Sequence, residues 1–220
     1  MPYEFSAEGL EIQGSVRRFM EEVISPSEKT YYDELAEVGP DGYPPVLDKL
    51  KAAALGRGLW NLFLPHLQPG NPGRPLSNLD YAPVSELLGQ VSFGSEVLNC
   101  SAPDTGNMEI LSLYGSEQVK KRWLSPLLAG QIRSAFSMTE PDTASSDATN
   151  IALSIERDGD SYVLNGRKWF STGARSKRCE VLIVMGKSDP DAPRHRQQSM
   201  VVVPKDTPGV SLELDPHVFG

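Results

Sequence analysis

The sequence is poor in the residues that build disulfide frameworks and metal sites. Its 220 residues include two cysteines, Cys100 and Cys179, and three histidines, His66, His195 and His217. The cysteines lie far apart, neither has a Cys or His at metal-ligand spacing, and no two histidines have that spacing either. We therefore expect buried free thiols in a reducing compartment and no bound metal ion.

Long apolar runs and clustered positive charge are also missing. No stretch approaches the ~20 apolar residues that cross a bilayer. The first residues, MPYEFSAEGLE, lack the apolar core of a targeting peptide. The formal net charge is -8, and the longest basic cluster is residues 194–196. These features argue against nucleic-acid and membrane partners. They predict a cytoplasmic protein, or a mitochondrial or peroxisomal one if it is eukaryotic.

The first half of the chain has the periodicity of helices. Apolar residues recur at helical spacing over residues 7–24 behind a capping Ser6, and Pro26 is expected to end that helix. Because Pro126 interrupts the last helical run, we expect a kink or an early end near Ser125. Further helices are predicted over residues 44–55, residues 79–88 with Ser77 or Asn78 as cap, residues 107–114, and the run that follows the cap Ser116.

The second half has the alternation of strands. Ile151, Leu153 and Ile155 alternate with polar residues, and the sequence Arg-Asp-Gly-Asp at residues 157–160 predicts a hairpin. Short strands are predicted over residues 134–138, 151–155, 162–164, 168–172, 181–185, 200–203 and 210–214. Short strands separated by turn signals are typical of a small antiparallel barrel or sandwich. We therefore predict an α+β fold, all-helical over residues 1–132 and β-structured over residues 133–220.

A polar stretch, residues 134–151 (SAFSMTEPDTASSDATNI), joins the two halves. Residues 134–138 have the alternation of a strand, which Pro141 interrupts because proline has no N–H for a ladder. Residues 142–150 provide hydroxyls, carboxylates and backbone N–H groups without a large apolar side chain. Such a stretch can bind an extended polar ligand, or it can be a plain polar connection. Composition alone leaves both interpretations open.

Two motifs resemble those of the acyl-CoA dehydrogenase family. Residues 136–141 (FSMTEP), followed by Ser146 and Asp147, resemble the family's flavin loop. Residues 165–172 (NGRKWFST) resemble its second flavin strand. The motifs occur in the family's order, and the resemblance covers essentially the whole chain. Two further stretches are most similar to the branch of family members 10 and 11 and their bacterial relatives, namely residues 99–108 and residues 144–150.

The resemblance implies an FAD site built on these motifs. It assigns the edge of the flavin ring to Thr139 and the backbone of Met138, and one face of the ring to Phe170. It assigns the neighbourhood of flavin N5 to Thr172. The diphosphate or substrate side falls on one of two adjacent serines, because the loop is one residue longer than the commonest pattern. The implied cofactor-binding residues are Phe136, Met138, Thr139, Ser145, Ser146, Phe170, Ser171 and Thr172, and the implied substrate-binding residues are Ser145 and Ser146.

Other polar and aromatic residues near these motifs receive different roles. As neighbours on a predicted strand, Trp169 and Phe170 should point to opposite faces, one into the core and one towards the flavin. The family assigns neither Glu140 nor Asp147 as catalytic base, and we expect Glu140 to be structural or to orient the loop. Arg194, in a polar loop, has a charge that suits the phosphates of CoA, although a solvated side chain is the simpler interpretation.

The implied reaction is the α,β-dehydrogenation of an acyl-CoA thioester, with hydride passing to flavin N5 and electron-transfer flavoprotein as acceptor. Family members continue from the barrel into a four-helix bundle, which carries the catalytic base, much of the subunit interface and part of the FAD site. This sequence stops at Gly220, in an incomplete barrel. We therefore expect a partial chain without a catalytic residue, inactive alone, with a homo-oligomer expected for the full-length form.

Two alternative functions stay open at this level. One is a flavin oxidase or monooxygenase on the same scaffold, which would differ in oxygen access and in the substrate pocket. The other is a non-catalytic fragment that uses the scaffold only for binding acyl-CoA or flavin. The acyl chain length is not encoded in any of these motifs.

Overall fold

A computed structural model of the chain describes residues 4–213. Within that range the chain forms two compact units, divided between Ile132 and Arg133. The first unit is helical, and the second contains all the strands that the described residues form. The predicted fold class, a helical region followed by a small β domain, is thereby confirmed. None of the helices in the described range has the length and apolarity needed to span a membrane.

The helical unit is built on amphipathic segments. Ile12, Val16 and Phe19 are buried on the first helix at the predicted spacing. π-helical turns follow the first and seventh helices at Met20–Ile24 and Lys120–Leu124. The helices are α1 (Ala7–Phe19), α2 (Glu28–Val38), α3 (Val46–Gly56), α4 (Asn78–Leu88), α5 (Gly94–Val97), α6 (Asp104–Tyr114), α7 (Glu117–Val119) and α8 (Ser125–Leu128).

Serine hydroxyls cap three of these helices. In each case the hydroxyl oxygen accepts a hydrogen bond from the backbone N–H three residues later, which satisfies a donor that the first helical turn leaves free. The predicted caps Ser6 and Ser116 are confirmed, and Ser77 rather than Asn78 caps α4. The pairs are Ser6 with Gly9 at 2.9 Å, Ser77 with Asp80 at 3.1 Å, and Ser116 with Val119 at 3.3 Å.

The prediction that Pro26 ends a helix is wrong. Pro26 lies in a 3₁₀ turn (Ser25–Ser27), and the chain continues directly into α2, which the sequence pattern did not reveal. A proline in the first turn of a helix costs little, because its missing N–H would have no intrahelical partner there. Pro126 has the same position in α8. Of the two outcomes expected near Ser125, a kink or an early end, the early end does not occur, because a π-helical turn leads directly into α8.

Two buried asparagines hold the end of α8. Asn61 and Asn99 have φ angles of 48° and 54°, in the left-handed region that asparagine tolerates better than most residues. The Asn99 side-chain amide donates to Leu127 O at 2.9 Å and to Asn61 Oδ1 at 2.7 Å. The Asn61 amide donates to Leu128 O at 2.9 Å. These bonds satisfy carbonyls that a helix end leaves without intrahelical partners.

The β unit is a mixed sheet with its longest strand in the middle. Its strands are β1 (Arg133–Ser137), β2 (Ser154–Asp158), β3 (Ser161–Asn165), β4 (Cys179–Lys187) and β5 (Gln198–Pro204). The predicted antiparallel pairing holds for β2 with β3 and for β4 with β5. In contrast, β1 pairs with β4 in parallel, and Ser154 of β2 pairs in parallel with Lys187. The long connection between β1 and β4 makes this parallel pairing possible.

The core of the β unit surrounds β4. Val181, Leu182, Ile183 and Val184 are all buried, as expected for a strand covered on both faces. Both cysteines are free and buried, which confirms that prediction. The buried cluster on one side of the sheet consists of Ala135, Ile151, Leu153, Ile155, Ala174, Cys179, Leu182 and Val184.

Two predicted strands do not form. Residues 168–172 lie outside every strand of the described chain, and Phe170 has a φ of 51°, which no β-strand accommodates. The prediction that Trp169 and Phe170 point to opposite faces of a strand is therefore wrong. Residues 210–213 are not a strand either, and Leu214 lies outside the described residues.

We predict that Asn99→Ala destabilises the helical unit. The substitution removes the Asn99 hydrogen bonds to Leu127 O, which keeps a backbone donor from Gly130, and to Asn61 Oδ1. It also places alanine at a left-handed φ, and we expect a total cost of about 2–4 kcal/mol in the free energy of unfolding. Asn99→Gly, which relieves only the backbone strain, should cost less. Urea denaturation followed by tryptophan fluorescence measures both. Asn78→Ala, at an exposed residue, is the control, and an equal effect of the two alanine variants would contradict the account.

Candidate functional site

A pair of hydrogen bonds joins the polar loop (residues 139–150) to an aromatic ledge formed by Trp169 and Phe170. The Thr139 hydroxyl donates to Trp169 O at 2.9 Å, and the Trp169 N–H donates to Thr139 O at 3.0 Å. Thr139 follows the end of β1 closely, so the central sheet sets the position of the loop. Because its hydroxyl proton is used on Trp169 O, Thr139 offers a ligand its backbone N–H and a lone pair.

A buried ion pair lies beneath this junction. The side chains of Lys168 and Glu140 are 9% and 5% exposed, and Lys168 Nζ lies 2.8 Å from Glu140 Oε1. The same ammonium group donates to Met138 O at 2.8 Å. Lys168 therefore connects the end of β1, the polar loop and the aromatic ledge. A buried charge of this kind is stable only when it is both paired and hydrogen-bonded, as here.

The Glu140 carboxylate is also held by the backbone that leads into β2. The N–H groups of Ala152 and Leu153 donate to Oε2 and Oε1 at 2.8 and 2.9 Å. Burial by itself would raise the pKa of Glu140, but the hydrogen bonds from Lys168 and from the two amides outweigh burial and hold the pKa below its ordinary value. Glu140 is thus an ionised carboxylate that orients the loop, as the sequence led us to expect.

The two candidate serines of the loop differ in their surroundings. Ser145 is 2% exposed, and its hydroxyl accepts a hydrogen bond from the Glu140 N–H at 2.6 Å and donates to Thr143 O at 3.3 Å. Ser145 therefore closes the loop internally. Ser146 is exposed. Of the two, Ser146 is the one whose hydroxyl is accessible to a ligand.

The aromatic ledge presents two large rings to solvent. Trp169 is 44% and Phe170 52% exposed, and their ring centroids lie 4.7 Å apart with an interplanar angle of 52°. The left-handed backbone of Phe170 is strained for a bulky residue, and strain of this kind concentrates at binding sites. Thr172, also exposed, donates its N–H to Phe170 O at 2.9 Å and closes a tight turn.

A second set of contacts fastens the far end of the polar loop. Asp147 Oδ1 accepts from the N–H and the hydroxyl of Thr149 at 3.0 and 2.7 Å. Arg194, from the β4–β5 connection, donates to Thr149 Oγ1 at 3.0 Å and to Asp147 Oδ2 at 3.3 Å. The Thr149 hydrogen bonds, and after them the charge of Arg194, lower the pKa of Asp147. Arg194 is thus paired within the chain rather than simply solvated.

The structure brings together most, but not all, of the predicted site residues. Met138 and Thr139 adjoin the ledge through Lys168 and Trp169. Phe136 instead lies within β1, half-buried and paired with Ile183, so its neighbours are strand residues. Sequence reasoning missed Lys168. Its only signal was a lysine placed directly before two aromatic residues, and a buried ion pair leaves no periodic pattern in a sequence.

These residues suit a flat aromatic ligand with polar edges, such as a flavin. The exposed rings of Trp169 and Phe170 offer apolar faces. Thr139 adjoins them through its two hydrogen bonds with the Trp169 backbone. The hydroxyl oxygen of Ser171 is buried and has no hydrogen-bond partner in the part of the chain that the structure describes. A buried hydroxyl without a partner is uncommon and is satisfied when a ligand or water supplies one. The described residues contain no group of acidic, histidine or cysteine side chains arranged for a metal ion.

We predict that Glu140 makes the stability of the β unit depend on acid pH. Its pKa in the folded chain lies below the ordinary value of 4.5, so its contribution is complete above that value and is lost as the pH falls through the lowered pKa. Glu140→Gln should cost about 2–4 kcal/mol at pH 7, because it leaves Lys168 buried without a counter-charge.

Thermal denaturation from pH 7 to pH 3 measures this effect. The difference in melting temperature between wild type and Glu140→Gln should shrink below pH ~4.5. Glu156→Gln, at an exposed carboxylate of β2, is the matched control and should leave the melting temperature unchanged. A wild type to Glu140→Gln difference that stays constant over the whole range would rule out this role of the carboxylate.

Comparisons with known proteins agree on one family. The domain described as "Acyl-CoA dehydrogenase, N-terminal domain" matches residues 6–131, and "Acyl-CoA dehydrogenase, middle domain" matches residues 135–220. The chain is 50% identical to Probable acyl-CoA dehydrogenase FadE2 of Mycobacterium tuberculosis, covering 100% of this chain and 53% of that protein. It is 52% identical to acyl-CoA dehydrogenase family member 11 of Gallus gallus, covering 98% and 28%.

Solved structures give the same result. An acyl-CoA dehydrogenase homologue from Mycobacterium abscessus is 48% identical with a TM-score of 0.88, over 96% of this chain and 54% of that one. An FAD complex of PigA is 25% identical with a TM-score of 0.73, over 95% and 51%. The chain therefore spans about half the length of these structures and of the mycobacterial relative. Two family domains cover nearly all of its residues, and the chain belongs to the acyl-CoA dehydrogenase family, with relatives in the predicted branch of family member 11 and its bacterial counterparts.

Proposed function

We propose that this chain forms the flavin-binding part of an FAD-dependent acyl-CoA dehydrogenase. The reaction removes one hydrogen from Cα and one from Cβ of an acyl-CoA thioester and leaves a double bond between them. The observation that carries the proposal is the aromatic ledge. Two exposed rings lie beside the polar loop, and one of them is held in a strained left-handed backbone.

Family membership supports FAD as the cofactor, as does the similarity to PigA, whose structure is an FAD complex. Bound flavin would supply a hydride acceptor, chemistry that no side chain offers. In this proposal the ring of Phe170 covers one face of the flavin. The Thr139 N–H and the Ser171 hydroxyl donate to its polar edges, and Thr172 lies near N5. Burying the apolar ring faces also keeps water away from the reacting atoms.

The polar loop would meet the phosphates or the thioester end of the substrate. Ser146 is the exposed serine of the loop, whereas the Ser145 hydroxyl is used within it. We therefore assign the ligand contact to Ser146 and a supporting role to Ser145.

The two carboxylates of the loop are unsuited to removing a proton from the substrate. Glu140 is buried and already accepts three hydrogen bonds. Asp147 is bonded to Thr149 and Arg194, which favour its ionised form and make it a weak base. We propose that the base and the interface of a homo-oligomer belong to a further helical domain of the full-length enzyme, and that electron-transfer flavoprotein accepts the electrons of that enzyme.

We predict that Phe170→Ala weakens FAD binding by about five- to tenfold, because it removes an aromatic contact worth about 1 kcal/mol and the strained turn that presents it. The test is to add FAD to the 220-residue chain, remove the excess and record the visible spectrum, followed by a fluorescence titration. Tyr162→Ala, at an exposed aromatic of β3 in the same unit, is the control. Equal affinities of the two variants would refute the ledge as the flavin site.

We also predict that the 220-residue chain does not reduce an artificial electron acceptor when acyl-CoA is added. A chain of the full length of the relatives should do so under the same conditions. Turnover by the shorter chain would show that a carboxylate within it serves as base, and would overturn the assignment given above. A longer chain without flavin and without turnover would disprove the dehydrogenase function itself.

A further inference from the structure

Lys168 comes directly before the aromatic ledge, but its side chain turns away from solvent. The Lys168 side chain is 9% exposed, whereas the next two residues, Trp169 and Phe170, are about half exposed. Its ammonium group contacts Glu140 Oε1 and Met138 O, both at 2.8 Å. A lysine buried in this way loses the hydration and the rotamer freedom that it normally keeps at a surface. This costly burial of Lys168 lies two residues before Phe170, whose backbone is strained.

We propose that Lys168 is a positioning residue for the flavin site, which fixes the aromatic ledge against the polar loop through its ion pair with Glu140. Lys168 does not touch the ligand in this account. It acts through Trp169 and Phe170, the residues that follow it in the chain. The binding consequence rests on the proposed flavin function, whereas the structural consequence does not.

The aromatic ledge needs the ion pair because few other contacts hold its backbone in place. Both of its rings are exposed, and residues 168–172 belong to no strand, so ladder hydrogen bonds do not hold them. Two hydrogen bonds with Thr139 anchor Trp169, and the loop that carries Thr139 is itself anchored through Glu140. A left-handed bulky residue persists only when its surroundings over-determine it. The ion pair provides that constraint.

The carboxylate and the ammonium group of this ion pair cannot exchange positions. Glu140 also accepts from the N–H groups of Ala152 and Leu153, so this position requires an acceptor. Exchanging the two charges would place an ammonium group against those two donors. We therefore expect Lys168→Arg to preserve the ledge, and the charge-swapped variant, Glu140→Lys with Lys168→Glu, to lose it. A pair that acted only through net charge would tolerate the swap.

Fluorine NMR of the chain labelled with 5-fluorotryptophan tests the structural consequence without flavin. The three tryptophans give three resonances, and Trp169→Phe identifies that of the ledge. We expect Lys168→Met to shift or broaden the Trp169 resonance and to leave those of Trp60 and Trp123, in the helical unit, unchanged. Arg167→Met, which removes a neighbouring exposed ion pair with Asp142, is the matched control and should change none of them.

A second measurement shows whether the β unit of each variant is still folded. Slow reaction of buried Cys179 with a thiol reagent, in a Cys100→Ala background, reports an intact β unit. If Lys168→Met exposes Cys179, the double variant Glu140→Gln with Lys168→Met carries the test, because removing both charges avoids an unpaired buried ion. An unchanged Trp169 resonance in a folded variant that lacks the ion pair overturns the proposal.

Titration with FAD then tests the binding consequence. Lys168→Met should raise the dissociation constant about tenfold or more, because a ligand site loses affinity when its supporting residues are loosened. Lys168→Arg and Arg167→Met should each raise the dissociation constant less than about twofold. If the 220-residue wild type binds no FAD, the same titration is made with a chain of the full length of the relatives. Absence of binding there too would contradict the proposed function and leave the NMR result as the test of positioning. If wild type and Lys168→Met bind FAD with equal affinity, the positioning role of Lys168 is overturned, although the proposed flavin function stands.

Discussion

The buried ion pair between Lys168 and Glu140 is the constraint on which the rest of the site depends. One ammonium group and one carboxylate, 2.8 Å apart, connect the end of β1, the polar loop, the residues that lead into β2 and the aromatic ledge. Breaking such a pair costs more than forming it gains, because each partner left alone would be an uncompensated buried charge. This asymmetry ties the four segments together, although none of the loop residues lies in a regular strand.

The helical unit uses neutral groups for a similar purpose. Asn61 and Asn99 satisfy the last carbonyls of α8 and hold two left-handed turns, so a helix end is fixed without charge. In both units, polar side chains buried in irregular segments do what periodic apolar packing cannot, which is to specify one loop conformation. Apolar packing around β4 and α1 stabilises each unit, and the polar contacts define the surfaces available to a ligand.

Much of the fold could be predicted from the sequence, because helical spacing, caps and apolar strands are local signals. Ser6, Ser116 and the run at β4 are examples. The helix after Pro26 and the parallel pairing of β1 were missed, since the first depends on the position of a proline within a turn and the second on long-range pairing. At the site, the motifs located the loop and the ledge. They could not reveal that residues 168–172 form no strand or that Ser145 bonds to the loop itself, because tertiary contacts decide both.

A crystal structure of the chain grown with FAD would show whether the aromatic ledge binds the flavin ring. We expect the isoalloxazine ring against Phe170, with its polar edge within hydrogen-bond distance of the Thr139 N–H and the Ser171 hydroxyl. The Lys168–Glu140 pair should be unchanged beneath it. Electron density for the flavin ring at another surface would contradict the account. So would a bound flavin whose ring leaves Phe170 exposed and the Ser171 hydroxyl without a partner.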